Sequence, residues 1–134
     1  VIVADVNLLV YLLVPGEHTR GAEQARERDP EWYVPAGFDA EFLNVLCSLV
    51  RFRRMSLEQA SVLLRRSTTM VIRSQPAASE DLLAAAVAAN LTTYDTEYVL
   101  LAREKRLRLV TSDKQVLAAA TDVAVSIRDF AEGK

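Results

Sequence analysis

The sequence predicts an α/β protein, with a central parallel sheet of about five strands covered by helices on both faces. Two observations predict it. Short apolar runs alternate with helix-like segments along all 134 residues, the pattern of strands joined by helical crossovers. Acids also stand where apolar runs end, Asp5 after the first and Asp113 after the fourth, at the edge where open parallel sheets carry their ligands. The length suits one domain spanning 1–134, and a chain of this size buries a sufficient core without disulfides.

Each element has a local reason. Ile2–Ala4 is a short apolar strand. Asn7–Val14 is nearly all apolar and is stopped by Pro15-Gly16, as a partly buried helix would be. Thr19–Arg28 is polar and helix-prone, and Trp32–Val34, closed by Pro35, is a second strand. Phe38, Phe42, Val45, Leu46, Leu49 and Val50 recur at helical spacing and define a long helix over Phe38–Arg53. Ser56 with Gln59 is a capping-box pattern that opens a helix to about Thr68. Met70–Arg73 is a third strand. Ser79-Glu80-Asp81 caps an alanine-rich helix that ends at Ala89, with Asn90 in the left-handed position. Thr92-Thr93 precede a helix over Tyr94–Arg106, and Leu107–Thr111 is the fourth strand. Ser112 with Gln115 reads as another capping box, opening a helix to Ala120. Val123–Ile127 is the fifth strand, and Asp129–Lys134 a short turn with a frayed end.

Composition narrows the chemistry. A single cysteine, Cys47, cannot form an internal disulfide, and a single histidine, His18, cannot build a histidine-rich zinc site. A metal here would be held by oxygen, which points to Mg²⁺ or Mn²⁺. The net charge of −2 does not announce nucleic acid, although acidic pits can mask basic patches elsewhere. The apolar opening has no basic leader and carries Asp5 and Asn7, and no apolar run is long enough to span a membrane. The expectation is a cytoplasmic protein with no membrane partner.

Four acids can share one edge of such a sheet. Asp5 and Asp113 lie side by side if the first and fourth strands are neighbours. Asp95 sits in the first turn of its helix, and Glu41 in the first turn of Phe38–Arg53 among core-like Phe38, Phe42 and Val45. Each acid alone has an ordinary explanation. Asp5 caps the following helix, Asp95 or Asp113 favours a helix dipole, and Glu41 pairs with Arg51 or Arg54. Together they raise a different problem. Two unit charges 4 Å apart repel by about 4 kcal/mol at an effective dielectric of 20. A hard divalent cation among oxygen ligands resolves that repulsion, and it would also polarise a phosphodiester and acidify water.

The segments "VADVNLLVYLL", "DAEFLNVL", "TTYDTEYVLLAREK" and "LRLVTSDKQVL" resemble, in order, the four acidic motifs of PIN domains. Within that family they look most like the VapC-type toxins of type II toxin–antitoxin pairs. The resemblance implies a three-layer α/β/α sandwich around the parallel sheet, and a Mg²⁺- or Mn²⁺-dependent endoribonuclease; an all-oxygen acid cluster with no histidine base leads to the expectation of 3′-hydroxyl and 5′-phosphate products. By position, Asp5, Glu41, Asp95 and Asp113 would be the catalytic and metal-binding quartet. Thr111 would orient carboxylates, and Asn7 would satisfy backbone near Asp5. Asn44 also matches a frequent family position. The family's further C-terminal acid is unassigned between Asp122 and Asp129.

The same resemblance implies an RNA substrate, a homodimer and an antitoxin partner, with part of the first helix (Leu8, Leu9, Tyr11, Leu12, Leu13) lining a groove for the antitoxin. Arg51, Arg53 and Arg54, and Arg103, Lys105, Arg106 and Arg108, are clusters that would grip RNA if they are more than solvated surface. Competing readings are a housekeeping RNA-processing nuclease and a non-catalytic RNA-binding or scaffold domain. A phosphoryl-transfer enzyme of the Asp-x-Asp type is disfavoured because the second acid is Asn7.

Overall fold

A computed structural model describes residues 1–134. Five short strands, β1 (Ile2–Ala4), β2 (Trp32–Val34), β3 (Ile72–Arg73), β4 (Leu109–Thr111) and β5 (Ala124–Ser126), form one sheet in the order β3-β2-β1-β4-β5. Every pairing is parallel, with Val3 opposite Leu109 and Ala4 opposite Val110 between β1 and β4. Eight helices surround it: α1 (Val6–Leu13), α2 (Thr19–Arg28), α3 (Phe38–Arg51), α4 (Leu57–Ser67), α5 (Ser79–Ala89), α6 (Thr93–Lys105), α7 (Lys114–Ala119) and α8 (Ile127–Ala131).

The layers follow from the alternation of side chains along each strand. Ile2, Ala4, Trp32, Val34, Val110 and Val125 point into one core, which α1, α2, α3, α4 and α8 complete. Val3 and Leu109 point into the other, with Tyr98, Val99, Leu101 and Ala102 of α6 and Val116 of α7. The result is a three-layer α/β/α sandwich. Strand order reverses between β1 and β4, so their C-terminal ends flank the crevice where such sheets hold ligands.

Several ends differ from expectation. β3 is two exposed residues at the sheet edge rather than Met70–Arg73, because it finds pairing only against Tyr33 and Val34 of a three-residue β2. β4 and β5 are likewise confined to the stretch where each has a partner. Asp113, not Ser112, caps α7, accepting from the backbone N–H groups of Gln115 and Val116. Ala78 rather than Ser79 precedes α5, without a side-chain cap. The C-terminus is a helix rather than a turn, because Ser126 caps α8 by accepting the Asp129 N–H. Asn90 takes the left-handed conformation at φ 54°. No helix is long and apolar enough to cross a membrane.

Most of the first helix is core, and half-buried Tyr11 also borders a groove. Leu8, Leu9 and Leu13 are buried, and Tyr11 and Leu12 pack against the same core. The exposed apolar surface lies on the α3–α4 hairpin instead, where Leu43 and Leu57 are 54% and 72% exposed and border a cavity of about 220 Å³ with Leu46, Val50 and Leu64. α3 and α4 each bury one stripe of residues and leave the opposite face exposed.

Candidate active site

Four elements deliver the four acids to the switch-point edge. Asp5 follows β1 directly, and its backbone N–H donates to Val110 O at 3.2 Å, fixing it beside β4. It occupies the cap position of α1, yet its side chain makes no capping bond. Oδ2 instead accepts from the Thr111 hydroxyl at 2.7 Å. Thr111 is 1% exposed, and the same hydroxyl accepts the Asp113 N–H at 3.1 Å. One buried hydroxyl therefore ties the ends of the two central strands together. Asp113 commits Oδ1 to the amides of Gln115 (2.8 Å) and Val116 (3.1 Å).

Asp95 enters from α6. Thr92 caps that helix by accepting the Asp95 N–H at 3.1 Å, so the backbone is held while the carboxylate is left free. Glu41 enters from the first turn of α3, partly buried, with no arginine partner; Oε1 is buried and makes no hydrogen bond. Beside it lies the Tyr98 hydroxyl, also buried, near enough to act on the Glu41 carboxyl but outside hydrogen-bond geometry.

The acids feel one another. Burial pushes the Asp5 carboxyl up, with the charges of Asp95 and Asp113 adding to it against the Thr111 hydrogen bond. Burial raises Asp95 as well, followed by the charge of Asp113. Glu41 is pushed up to about 7, first by burial; the Tyr98 hydroxyl opposes this, and the charges of Asp5, Asp95 and Glu97 reinforce it. Tyr98 is raised by burial and then by the charges of Glu41 and Asp5. Three carboxylates are thus disfavoured in their charged forms at one edge.

They do not, however, close on one point. No three His, Cys, Asp or Glu side chains stand in a preformed metal-holding group. Asp5 is turned toward Thr111, and Asp113 toward its helix amides. The donor set itself fits a hard divalent cation: it is all carboxylate oxygen, it carries excess negative charge, and it includes the orphaned Glu41 Oε1.

Other residues fall outside this group. Asn7 is partly buried at the start of α1 and its side chain makes no hydrogen bond to backbone near Asp5; the Val6 N–H interacts with that carboxylate instead. Asp122 pairs with Arg103 at 2.8 and 3.0 Å, and Asp129 faces Lys134 at 3.9 Å. Asn44 is exposed beside Ser48 and Phe52. Arg51 and Lys105 each lie ten residues beyond Glu41 and Asp95, about 15 Å down their helices. Those basic clusters are therefore remote from the acids. Arg103 is committed to Asp122, and Lys105 stacks over Tyr33 at 4.6 Å.

One contact had no signal in the sequence. Glu97 reaches from α6 to accept the Gly37 N–H at 3.3 Å, latching the start of α3. A Cβ at Gly37 would meet Glu97 Oε1 at 2.9 Å, so the missing side chain is what lets the latch close. Tyr98, by contrast, closes the Tyr94-Asp95-x-x-Tyr98 part of the third acidic segment and lies on the buried face of α6.

A parallel α/β/α domain with acids brought to the edge where strand order reverses has the architecture of an α/β protein that binds its ligand at that edge. More particularly, the chain matches the PIN domain family over residues 2–122 and belongs to that family. No curated protein sequence matches it. Among solved structures it is similar to PAE2754 from Pyrobaculum aerophilum, with a TM-score of 0.79, 22% identity and coverage of 98% of this chain and 87% of that one. It is also similar to a toxin–antitoxin complex from Klebsiella pneumoniae, with a TM-score of 0.66, 20% identity and coverage of 95% and 98%. At these identities the likeness is one of fold.

Proposed function

We propose that this PIN domain is a Mg²⁺- or Mn²⁺-dependent endoribonuclease and the toxin of a type II toxin–antitoxin pair. The observation that carries the reading is the coupling of Asp5, Glu41 and Asp95, each raised by burial and by its neighbours' charges, at the edge beside Asp113. Asp5, Asp95 and Asp113 would hold the cation, with Glu41 acting partly through water. When bound, that cation polarises the phosphodiester and makes water acidic enough to attack at neutral pH.

The chain's own residues do the rest. Thr111 holds Asp5 in one orientation and anchors the Asp113 backbone, which orients the ligands themselves. Thr92 fixes the first turn of α6 so that Asp95 stays at the edge. Glu41, titrating near 7, can hold or release a proton at Oε1 at physiological pH. Water oxygen adds to phosphorus, the P–O3′ bond breaks, and the displaced oxygen takes a proton, giving a 3′-hydroxyl and a 5′-phosphate.

The toxin role is supported by the fold shared with the Klebsiella complex and by the exposed apolar face of α3 and α4. That face suits an antitoxin segment, or a second copy of the chain in a twofold dimer. The open arrangement of the acids favours one other reading, a PIN domain that binds RNA without cutting it.

Cleavage of single-stranded RNA with Mn²⁺ or Mg²⁺, with and without chelator, separates the two. Asp5→Asn and Asp95→Asn are expected to lower the rate roughly 100-fold or more, and to relieve growth arrest when the protein is expressed alone. Wild-type rates in either variant would refute the nuclease assignment. Cleavage without growth arrest would leave an RNA-processing nuclease.

A further inference from the structure

A groove of about 400 Å³ opens beside the acids, on the β5 side of the edge. Ser112 and Lys114, on either side of Asp113, form one end of it. Tyr11 and His18 form a wall, their rings 4.5 Å apart and tilted by 37°. Leu117 and Ile127 supply apolar surface. Two other cations near the groove are paired: Arg128 with Glu132 at 3.2 Å, and His18, when protonated, with Glu17 at 3.4 Å. Lys114 is exposed and forms no ion pair.

We propose that this groove is a nucleotide subsite in which one unstacked base of single-stranded RNA lies against the Tyr11–His18 pair while its phosphate meets Lys114. The assignment rests on the nuclease reading for its substrate class, and it supplies what the α3 and α6 clusters cannot. A scissile phosphate at the acids needs cations nearby, and those clusters stand about 15 Å away. Lys114 and Ser112 flank Asp113 in sequence and both line the groove, which places its end next to the acid edge. Its volume is that of a small-ligand pocket. Sequence-selective RNA recognition targets unstacked bases laid on aromatic rings, with hydroxyl groups at the base edge. His18 is exposed and Tyr11 partly so, leaving ring surface open. The Ser112 hydroxyl has no partner of its own and can meet a base edge or a phosphate. The lone histidine of the chain thereby acquires a role at the substrate rather than at a metal.

The test uses the whole protein in chelator, where cleavage plays no part, and a fluorescent single-stranded octaribonucleotide read by anisotropy. Tyr11→Ala, His18→Ala and Lys114→Ala are each expected to weaken binding about fivefold or more. Tyr11→Phe keeps the stack and retains wild-type affinity, as does Arg106→Ala on the remote cluster. Lys114→Ala also lowers the slope of log affinity against log salt by about 0.7. Because Tyr11 packs on the core, thermal melting accompanies its variants, and exposed His18 carries the result if Tyr11→Ala fails to fold. An octamer containing 5-iodouridine is expected to photo-crosslink to Tyr11 or His18. Unchanged affinity in His18→Ala and Lys114→Ala, or crosslinks only elsewhere, would overturn the subsite and leave the groove to a protein segment. If those variants bind normally and the wild type cleaves RNA with Mn²⁺, the subsite alone fails. If binding falls as expected but no divalent ion supports cleavage, the nuclease reading alone fails.

Discussion

Replacing Glu41 by glutamine removes a charge that the fold resists. Its carboxyl is pushed from the ordinary 4.5 to about 7, chiefly by burial. The folded protein therefore keeps a proton that the unfolded chain has lost between those two values. Folding stability from this group is complete below pH 4.5, declines as pH rises toward 7, and is level above it. At 1.36 kcal/mol per pH unit over the 2.5 between 4.5 and 7, the ceiling is about 3.4 kcal/mol. The side chain is only partly buried, and solvent screening reduces this to about 1–2 kcal/mol. Glutamine carries no such penalty. In chelator, Glu41→Gln is expected to melt with the wild type at pH 4.5 and about 4–7 °C higher at pH 8 for a chain of this length. Asp5 and Asp95 titrate in both proteins, so the difference between the two curves isolates Glu41. Saturating Mn²⁺ narrows the gap by stabilising the wild type more. Parallel curves at every pH, or a variant that melts lower at pH 8, would refute the claim that Glu41 is a buried and unpaired charge.

Asp95→Asn in chelator is expected to leave the melting temperature unchanged or raised, because the carboxylate is opposed by burial and by Asp113 while its backbone keeps the Thr92 cap; a clear drop would assign Asp95 to structure. Thr111→Val keeps the buried shape but strips Asp5 of its donor and the Asp113 N–H of its acceptor. It is expected to cost about 1–3 kcal/mol in denaturant titration, and more at pH 8 than at pH 4, since the lost bond favours ionised Asp5.

The fold was legible because its signals are local. Periodicity located α3 and Ser56-x-x-Gln59 located α4, whose capping box forms in both directions at 2.9 and 3.1 Å. Asn90 ended α5 where a left-handed residue was needed. Strand ends were not legible, because a strand stops where its neighbour stops, and Met70 and Val71 have none to pair with. Ser112 and Asp113 offered competing caps one residue apart. The carboxylate prevailed because it is the stronger acceptor and reaches two amides at once. The positions of Asp5 and Asp113 could be read from the ends of their strands. The Thr111–Asp5 bond spans 106 residues and depends on β1 and β4 being neighbours. The distance of the basic clusters from the acids was not legible from charge alone, because it depends on helix length: ten residues of helix separate Lys105 from Asp95.

The acids of this chain fall into two populations, and the contrast between them is the physical argument for function. Asp39 is gripped by Arg73 through two bonds of 2.8 Å, and Asp122 by Arg103, and both carboxyls are held below their ordinary range. Those pairs sit on the surface and favour the folded state. Asp5, Glu41 and Asp95 are shifted the other way and have no basic partner, although the chain carries 16 lysines and arginines. A fold shaped by stability alone would neutralise or remove three mutually repelling carboxylates at the crossing of its central strands, and each would be easy to replace. Their presence where the sheet presents its ligand edge, together with a buried threonine that holds one of them in its charged form, is the local inconsistency on which the proposed site rests.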